Sequence, residues 1–279
     1  MQQEIKGEKK VIVQEEIEEE DEGWQDPVAP LFGGQCCNDS YHHEACGSLK
    51  IRAKSSHSNP LLFADDVWPG SVYIADFIAD HSDEYCSGKS VLELGAGTAL
   101  PSLVCAKLGC DRLVISDFPD EDILHNISEL LHDNAIDCEL QRVFVKGHKW
   151  GDSVDELLQL GASETVNSEL HGKFDTIILA ELLWKDTYTL HRPLLQSVTD
   201  CLCPTRGQAL VGFAHRPVPG VHSSDQDMEF FVMAEQEFGL SYSLVGSRDL
   251  ADPFAGDNGE VAVHLYVLQL KDSISEWIE

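Results

Sequence analysis

Positive charge is what this chain has least of. Lysine and arginine number 19 against 49 aspartates and glutamates, a formal net charge of −30 over 279 residues. So acidic a surface repels phosphate backbones, so no nucleic-acid partner is expected. Nowhere do eighteen apolar residues run together, so no membrane span is expected either. The N-terminus is acidic where a secretory leader would be basic and then apolar. Residues 1–32 are low in aromatics and dominated by an acidic run at 15–22. They cannot bury enough apolar surface to order themselves and read as an acidic disordered arm. Cysteine is not scarce, with nine residues, but it builds no disulfide scaffold. Cys105, Cys110, Cys138 and Cys201 sit inside apolar helical or strand patterns, as buried reduced thiols do. That fits a cytoplasmic protein, with the nucleus as the alternative. No internal repeat is present.

What the chain does have is an apolar fraction of 43%, enough for one large α/β domain with appendages. Residues 33–66 read as an N-terminal extension with a β-hairpin. Leu49–Ala53 alternates apolar and polar as a half-exposed strand, and Leu61, Leu62 and Phe63 beyond Asn59-Pro60 are its expected partner. The same extension gathers Cys36, Cys37, His42, His43 and Cys46. Their spacing matches no zinc pattern of the C-x2-C and H-x3-H kind, so no metal is expected there. The main domain runs over 67–279. Strands at 90–94, 112–116, 139–145, 174–180 and 208–213 alternate with helices at 99–108, 120–133, 187–202 and 227–237, and a short helix lies near 153–160. A strand pair near 241–247 and 261–270 closes it. Such alternation with short loops predicts a doubly wound sheet with helices on both faces.

Residues 91–97, Val-Leu-Glu-Leu-Gly-Ala-Gly, carry the chemistry. An apolar strand holding Glu93 breaks into Gly95, Ala96 and Gly97, and a second apolar strand ends in Asp117 about twenty residues later. Glycines at the turn let the backbone approach a ligand without a Cβ in the way. The helix that follows, from near Thr98, aims its N-terminal amides at that ligand. A carboxylate after the second strand is placed to accept both ribose hydroxyls. The dinucleotide pattern G-x-G-x-x-G is incomplete, however, because Leu100 stands where its third glycine belongs. A tight turn with no ligand is the alternative reading.

With Val67-Trp68-Pro69-Gly70, Leu100-Pro101-Ser102-Leu103, Ser116–Asp120, His148–Gly151, Phe174–Trp184 and Gly212-Phe213-Ala214-His215-Arg216-Pro217 added, the chain resembles a known family. It is similar to the seven-stranded, Rossmann-like class I S-adenosyl-L-methionine (AdoMet)-dependent methyltransferases. More narrowly it resembles the eukaryotic lysine-methyltransferase-like group, methyltransferase family 16. That group includes enzymes first labelled nicotinamide N-methyltransferase-like and now associated with elongation factor 1A. The resemblance covers about residues 49–270 and implies AdoMet as cofactor, an acid two residues before the first glycine being the habit of such enzymes. It implies that Gly95, Ala96 and Gly97, with Glu93 before them, line the methionine moiety, that Asp117 holds the ribose and that Trp150 flanks the adenine. Trp68 would close the pocket from the N-terminal side, and Ala180 would leave room beside the sulfonium. For either tryptophan, ordinary core is the alternative.

Glu181-Leu182-Leu183-Trp184 stands in place of the family's acid-x-x-aromatic motif, usually written with Asp and with Tyr or Phe. Glu181 would anchor a substrate ammonium and Trp184 would offer a cation-binding face, both positioning substrate. The alternative for Glu181 is that it caps the next helix. His215 and Arg216 would orient substrate or else lie on a surface loop. The expected activity is methyl transfer to a lysine or N-terminal amine of a protein such as a translation elongation factor, and a basic or lysine-bearing surface would suit the acidic chain. Acidity serving solubility alone is the other reading. A small-molecule N-methyltransferase acting on nicotinamide-like substrates, and a non-catalytic AdoMet-binding module, are the competing functions.

Overall fold

The computed structural model describes residues 35–37, 40–51, 64, 66–140, 142–162, 172–215, 226–252 and 259–271. The acidic arm, Leu61–Phe63 and Arg216 lie outside them. Three short strands come first: β1 (Gln35–Cys37), β2 (Ser40–His43) and β3 (Gly47–Lys50) form an antiparallel sheet in that order. Of the strand expected at 49–53, Leu49 and Lys50 lie in β3, which pairs with Ser40–His43, Tyr41 opposite Leu49; Arg52 and Ala53, like the expected partner Leu61–Phe63, lie outside the described residues. Gly47, at a φ of 75°, turns the chain tightly between them.

The main domain begins with α1 (Pro69–Asp80), where Pro69 supplies the fixed φ of a first helical position. A one-turn α2 (Ser82–Tyr85) leads to β4 (Ser90–Leu94). Then follow α3 (Leu100–Leu108), β5 (Arg112–Asp117), α4 (Glu121–Asp133), β6 (Val143–Gly147) and α5 (Asp155–Gly161). The chain continues through β7 (Thr176–Ala180), a 3-10 helix (Lys185–Leu190), α6 (His191–Cys201) and β8 (Gln208–Ala214). It ends in α7 (Gln226–Glu237), β9 (Leu240–Ala251) and β10 (Glu260–Leu270).

Seven of these strands make one sheet in the order β6-β5-β4-β7-β8-β10-β9. The first five are mutually parallel, whereas β10 runs antiparallel to β8 and β9. The central strands are buried along their length, which is why their sequences are continuous apolar runs rather than alternating ones. Successive side chains still go to opposite faces. Val91, Leu113, Ile115 and Ile178 pack in a core with α1, α3 and α4. Leu92, Leu94, Val114, Ile177 and Leu179 pack in a second core with α5, α6 and α7. By this alternation Glu93 faces α3.

Two elements differ from the sequence expectation. The strand expected at 139–145 starts only at Val143, because the Asp137 carboxylate accepts from Leu140 N–H at 3.0 Å and folds 137–140 into a turn. Arg142, at a φ of 54°, completes the change of direction. The helix expected at 187–202 is split in two. Pro193 has no N–H to continue an earlier helix but fits the first turn of a new one, so α6 starts at His191.

The small sheet is fastened to the domain by polar contacts. Tyr41 OH donates to the buried Asp76 of α1 at 2.8 Å, and Arg248 of β9 holds the other Asp76 oxygen at 3.2 Å. Asn134 brackets Lys50 with two 2.8 Å bonds to its backbone. His42 contacts Ser48, His43 pairs with Asp80, and Cys46 bonds Gly47 O, so these members of the Cys/His cluster each have another partner. Among the described residues no helix is long and apolar enough to cross a membrane.

Candidate active site

The strand order reverses between β4 and β7, and a sheet of this kind opens a crevice beyond the carboxyl ends of the strands at such a point. The glycine turn fills that position. Gly95 and Gly97 have φ values of 65° and 52°, and Ala99 follows at 53°, so the chain makes a left-handed turn into α3. A Cβ at Gly95 would stand 2.7 Å from Leu182 Cδ2 and 3.1 Å from Trp150 Cζ2. The residue has to be glycine because the indole and the chain after β7 close in on it. Ala99 before α3 offers no side-chain cap; in its first turn Pro101 has no N–H and the Ser102 N–H is taken by the Glu93 carboxylate.

Asp117 ends β5 beside this turn. Gly97 N–H donates to its Oδ2 at 2.7 Å and Phe118 N–H to its Oδ1 at 2.6 Å. An ionised carboxylate has about four acceptor positions, so these bonds are compatible with further hydroxyl donors. Glu93 is fully buried: Ser102 donates to Oε2 through both its N–H and its hydroxyl, while Oε1 has no hydrogen-bond partner. Burial pushes the Glu93 carboxyl up to about 8, against the lowering effect of the Ser102 bonds. Trp150 is carried by the loop after β6. His148 N–H donates to Asp117 O at 2.8 Å, and Ser197 Oγ of α6 meets both His148 Nε2 (3.0 Å) and Gly151 N–H (2.9 Å). The loop is thus braced against α6 and sets the indole across from Gly95.

The other wall is built around Glu181. It sits just past β7, buried, at a φ of 55° that is unusual for a residue with a side chain. Its Oε1 accepts from Gly70 N–H in the first turn of α1 at 2.9 Å, and its Oε2 accepts from Ala214 N–H at the end of β8 at 3.3 Å. Glu181 does meet a helix N-terminus, but that of α1 and not of the helix that follows it. Its own carbonyl accepts from Trp184 Nε1 at 2.7 Å. Trp184 in turn meets Trp68 edge to face, ring centroids 4.7 Å apart. Ala180, opposite Gly212 in the sheet register, is half-buried at the mouth.

The structure thus brings together two groups. Glu93, Gly95, Ala96, Gly97, Asp117 and Trp150 surround the turn, while Trp68, Ala180, Glu181 and Trp184 form the neighbouring wall. Leu182, Gly70 and Gly212 touch these residues as well and were not singled out from sequence. A Cβ at Gly70 would strike Glu181 Cγ (2.8 Å) and Gly212 O (2.7 Å), a constraint with no sequence signal beyond the glycine itself. Asp227 lies in the first turn of α7, its Oδ2 2.5 Å from His215 Nδ1.

A family model described as lysine methyltransferase matches residues 47–237. The chain belongs to the lysine methyltransferase family. It is 36% identical to protein N-terminal and lysine N-methyltransferase EFM7 of Debaryomyces hansenii, over 62% of this chain and 65% of that relative. It is 33% identical to the protein of the same name from Eremothecium gossypii, over 79% of this chain and 80% of the relative. The match therefore spans a little under two thirds of the Debaryomyces protein. Among solved structures, a Pyrococcus horikoshii protein described as an RNA methyltransferase covers 80% of this methyltransferase and 92% of its own chain, with a TM-score of 0.51 at 15% identity. That likeness concerns the fold.

Proposed function

We propose that this chain methylates an amine of a protein, a lysine side chain or an N-terminal amine, on a partner such as a translation elongation factor. The observation that carries the reading is the wall of Glu181, Trp184 and Trp68 placed directly beside the glycine turn. A carboxylate and two indole faces suit a cationic amine, and the printed names of the relatives, protein N-terminal and lysine N-methyltransferases, agree with it.

The residues at the turn suit the methyl donor. The unpartnered Glu93 oxygen suits a ligand with a cationic amino-acid end, Asp117 fits a ribose, and the Trp150 ring fits a flat base. When bound, AdoMet supplies a sulfonium-activated methyl group, transferred as a nitrogen–carbon bond forms and the carbon–sulfur bond breaks. The protein's contribution is alignment of a neutral amine with that bond. A free lysine titrates near 10.4, so its proton must leave first. The net charge of −30 favours a basic partner surface, and the free thiols among the described residues suit a cytoplasmic setting.

Incubating the purified protein with radiolabelled AdoMet and a cell lysate tests the proposal. One or a few labelled protein bands are expected, and none with Asp117→Ala. Turnover of nicotinamide without any labelled protein would replace this reading with a small-molecule activity, and absence of AdoMet binding by calorimetry would leave only a module without catalysis.

A further inference from the structure

The Glu181 carboxylate is occupied by the N–H groups of Gly70 and Ala214, which suits it to anchor charge and leaves open where the amine proton goes. The residue after Ala214 is His215. Because Ala180 pairs with Gly212 in the sheet, Glu181 and His215 emerge at the same mouth from adjacent strands. The His215 side chain is 31% exposed and its Nδ1 lies 2.5 Å from the Oδ2 of Asp227, whose side chain is only 10% exposed. A carboxylate on Nδ1 fixes the tautomer: the proton sits on Nδ1, and Nε2 presents its lone pair. Among the described residues Nε2 has no hydrogen-bond partner.

α7 is placed to hold this pair beside the acceptor wall. One residue beyond Met228, Glu229 accepts from Tyr188 OH at 2.6 Å, so the first turn of α7 grips the 3-10 helix after Trp184 as well as the end of β8. The charged and titratable groups against this pair are Asp227 of α7 on Nδ1, His264 of β10 and, on the Asp227 side, His191 of α6. His264 itself bonds Ser247 Oγ at 2.7 Å and lies 5.8 Å from the Phe213 ring, ring centre to ring centre.

We propose that His215, oriented by Asp227, accepts the proton from the incoming ammonium at Nε2. The inference rests on the protein-amine reading above. In the step, the ammonium N–H bond breaks, its electron pair stays on nitrogen as the lone pair that takes the methyl group, and the proton moves to Nε2. The resulting imidazolium is balanced by the Asp227 carboxylate and, being partly exposed, returns its proton to water.

The test uses full-length protein, radiolabelled AdoMet and recombinant elongation factor 1A, comparing wild type with His215→Ala, His215→Gln and Asp227→Asn over a range of pH. A general base of this kind contributes on the order of 100-fold or more, so kcat is expected to fall by that order in both His215 variants, with AdoMet affinity by calorimetry unchanged. Added imidazole is expected to restore part of the His215→Ala activity and none of the His215→Gln activity. The acid limb of the wild-type pH profile is expected to vanish in the variants, with Asp227→Asn intermediate. Variants that bind AdoMet and match the wild-type profile, without imidazole rescue, overturn this inference alone. A wild type that binds AdoMet but labels no protein overturns the parent reading and this one with it.

Discussion

Single residues set what the donor side of the site tolerates. Gly95 combines a left-handed φ with a Cβ direction blocked by Leu182 and Trp150. Gly95→Ala is expected to weaken AdoMet binding by at least about tenfold, because the indole must retreat from the crevice, while unfolding costs change by only about 1–2 kcal/mol since Leu182 is flexible. Calorimetric titration alongside a thermal melt checks both halves, and undiminished affinity would show that the turn is packing alone. Glu93 gives a pH dependence of definite sign. Its folded carboxyl titrates at about 8 against an ordinary 4.5, so the folded chain keeps a proton that the unfolded chain loses. That contribution to stability is complete below 4.5 and disappears as pH rises through 8. Melting temperature should therefore decline over this window in wild type and less in Glu93→Gln. AdoMet, arriving with a cationic amino group and a sulfonium, favours the ionised carboxylate and should release a proton on binding near neutral pH. Heats of binding that do not vary with the ionisation enthalpy of the buffer would contradict this.

At the level of elements, β4, β5 and β7 were legible because buried parallel strands are apolar runs ended by glycine or an acid, and that signal is local. The slipped start of β6 was not, since Cys138 and Leu140 continue an apolar pattern that a single Asp137 side-chain bond cancels. Nor was the break before α6, where Pro193 could be accommodated by a helix start or by a kink. The glycine turn of the candidate site was legible for the same reason as the strands: Gly95–Gly97 and Asp117 lie close together in the chain. The acceptor side was readable only in part, as Glu181 and Trp184 are neighbours in sequence but the partners of Glu181 lie 111 and 33 residues away. His191, at the start of α6, is 1% exposed against Tyr188 and Phe230, and neither ring nitrogen has a partner. Burial holds its imidazole down to about 4, against the opposing pull of Asp227 and Glu229. The fold thus prefers the neutral ring; its contribution is intact above 6.5 and fades as pH falls toward 4, by up to about 3 kcal/mol. Urea melts should show His191→Leu gaining on wild type at pH 5 much more than at pH 7. An equal difference at the two values would refute the titration argument.

For the molecule as a whole, charge is the property that acts at a distance. A net charge of −30 would steer a basic partner toward the chain, and salt would screen that attraction within about 10 Å at 0.1 M. Methylation of a protein acceptor should therefore lose kcat/KM by on the order of tenfold between low salt and about 0.3 M, chiefly through association, while AdoMet affinity changes little. Equal salt sensitivity of both would remove the steering argument. The Glu181 clamp has a consequence for assembly. Its two carboxylate oxygens tie the start of α1 to the far end of β8, so the acceptor wall is a keystone set only after strands from the middle of the chain have formed. During synthesis the donor turn can take shape while the acceptor wall still lacks its last stone.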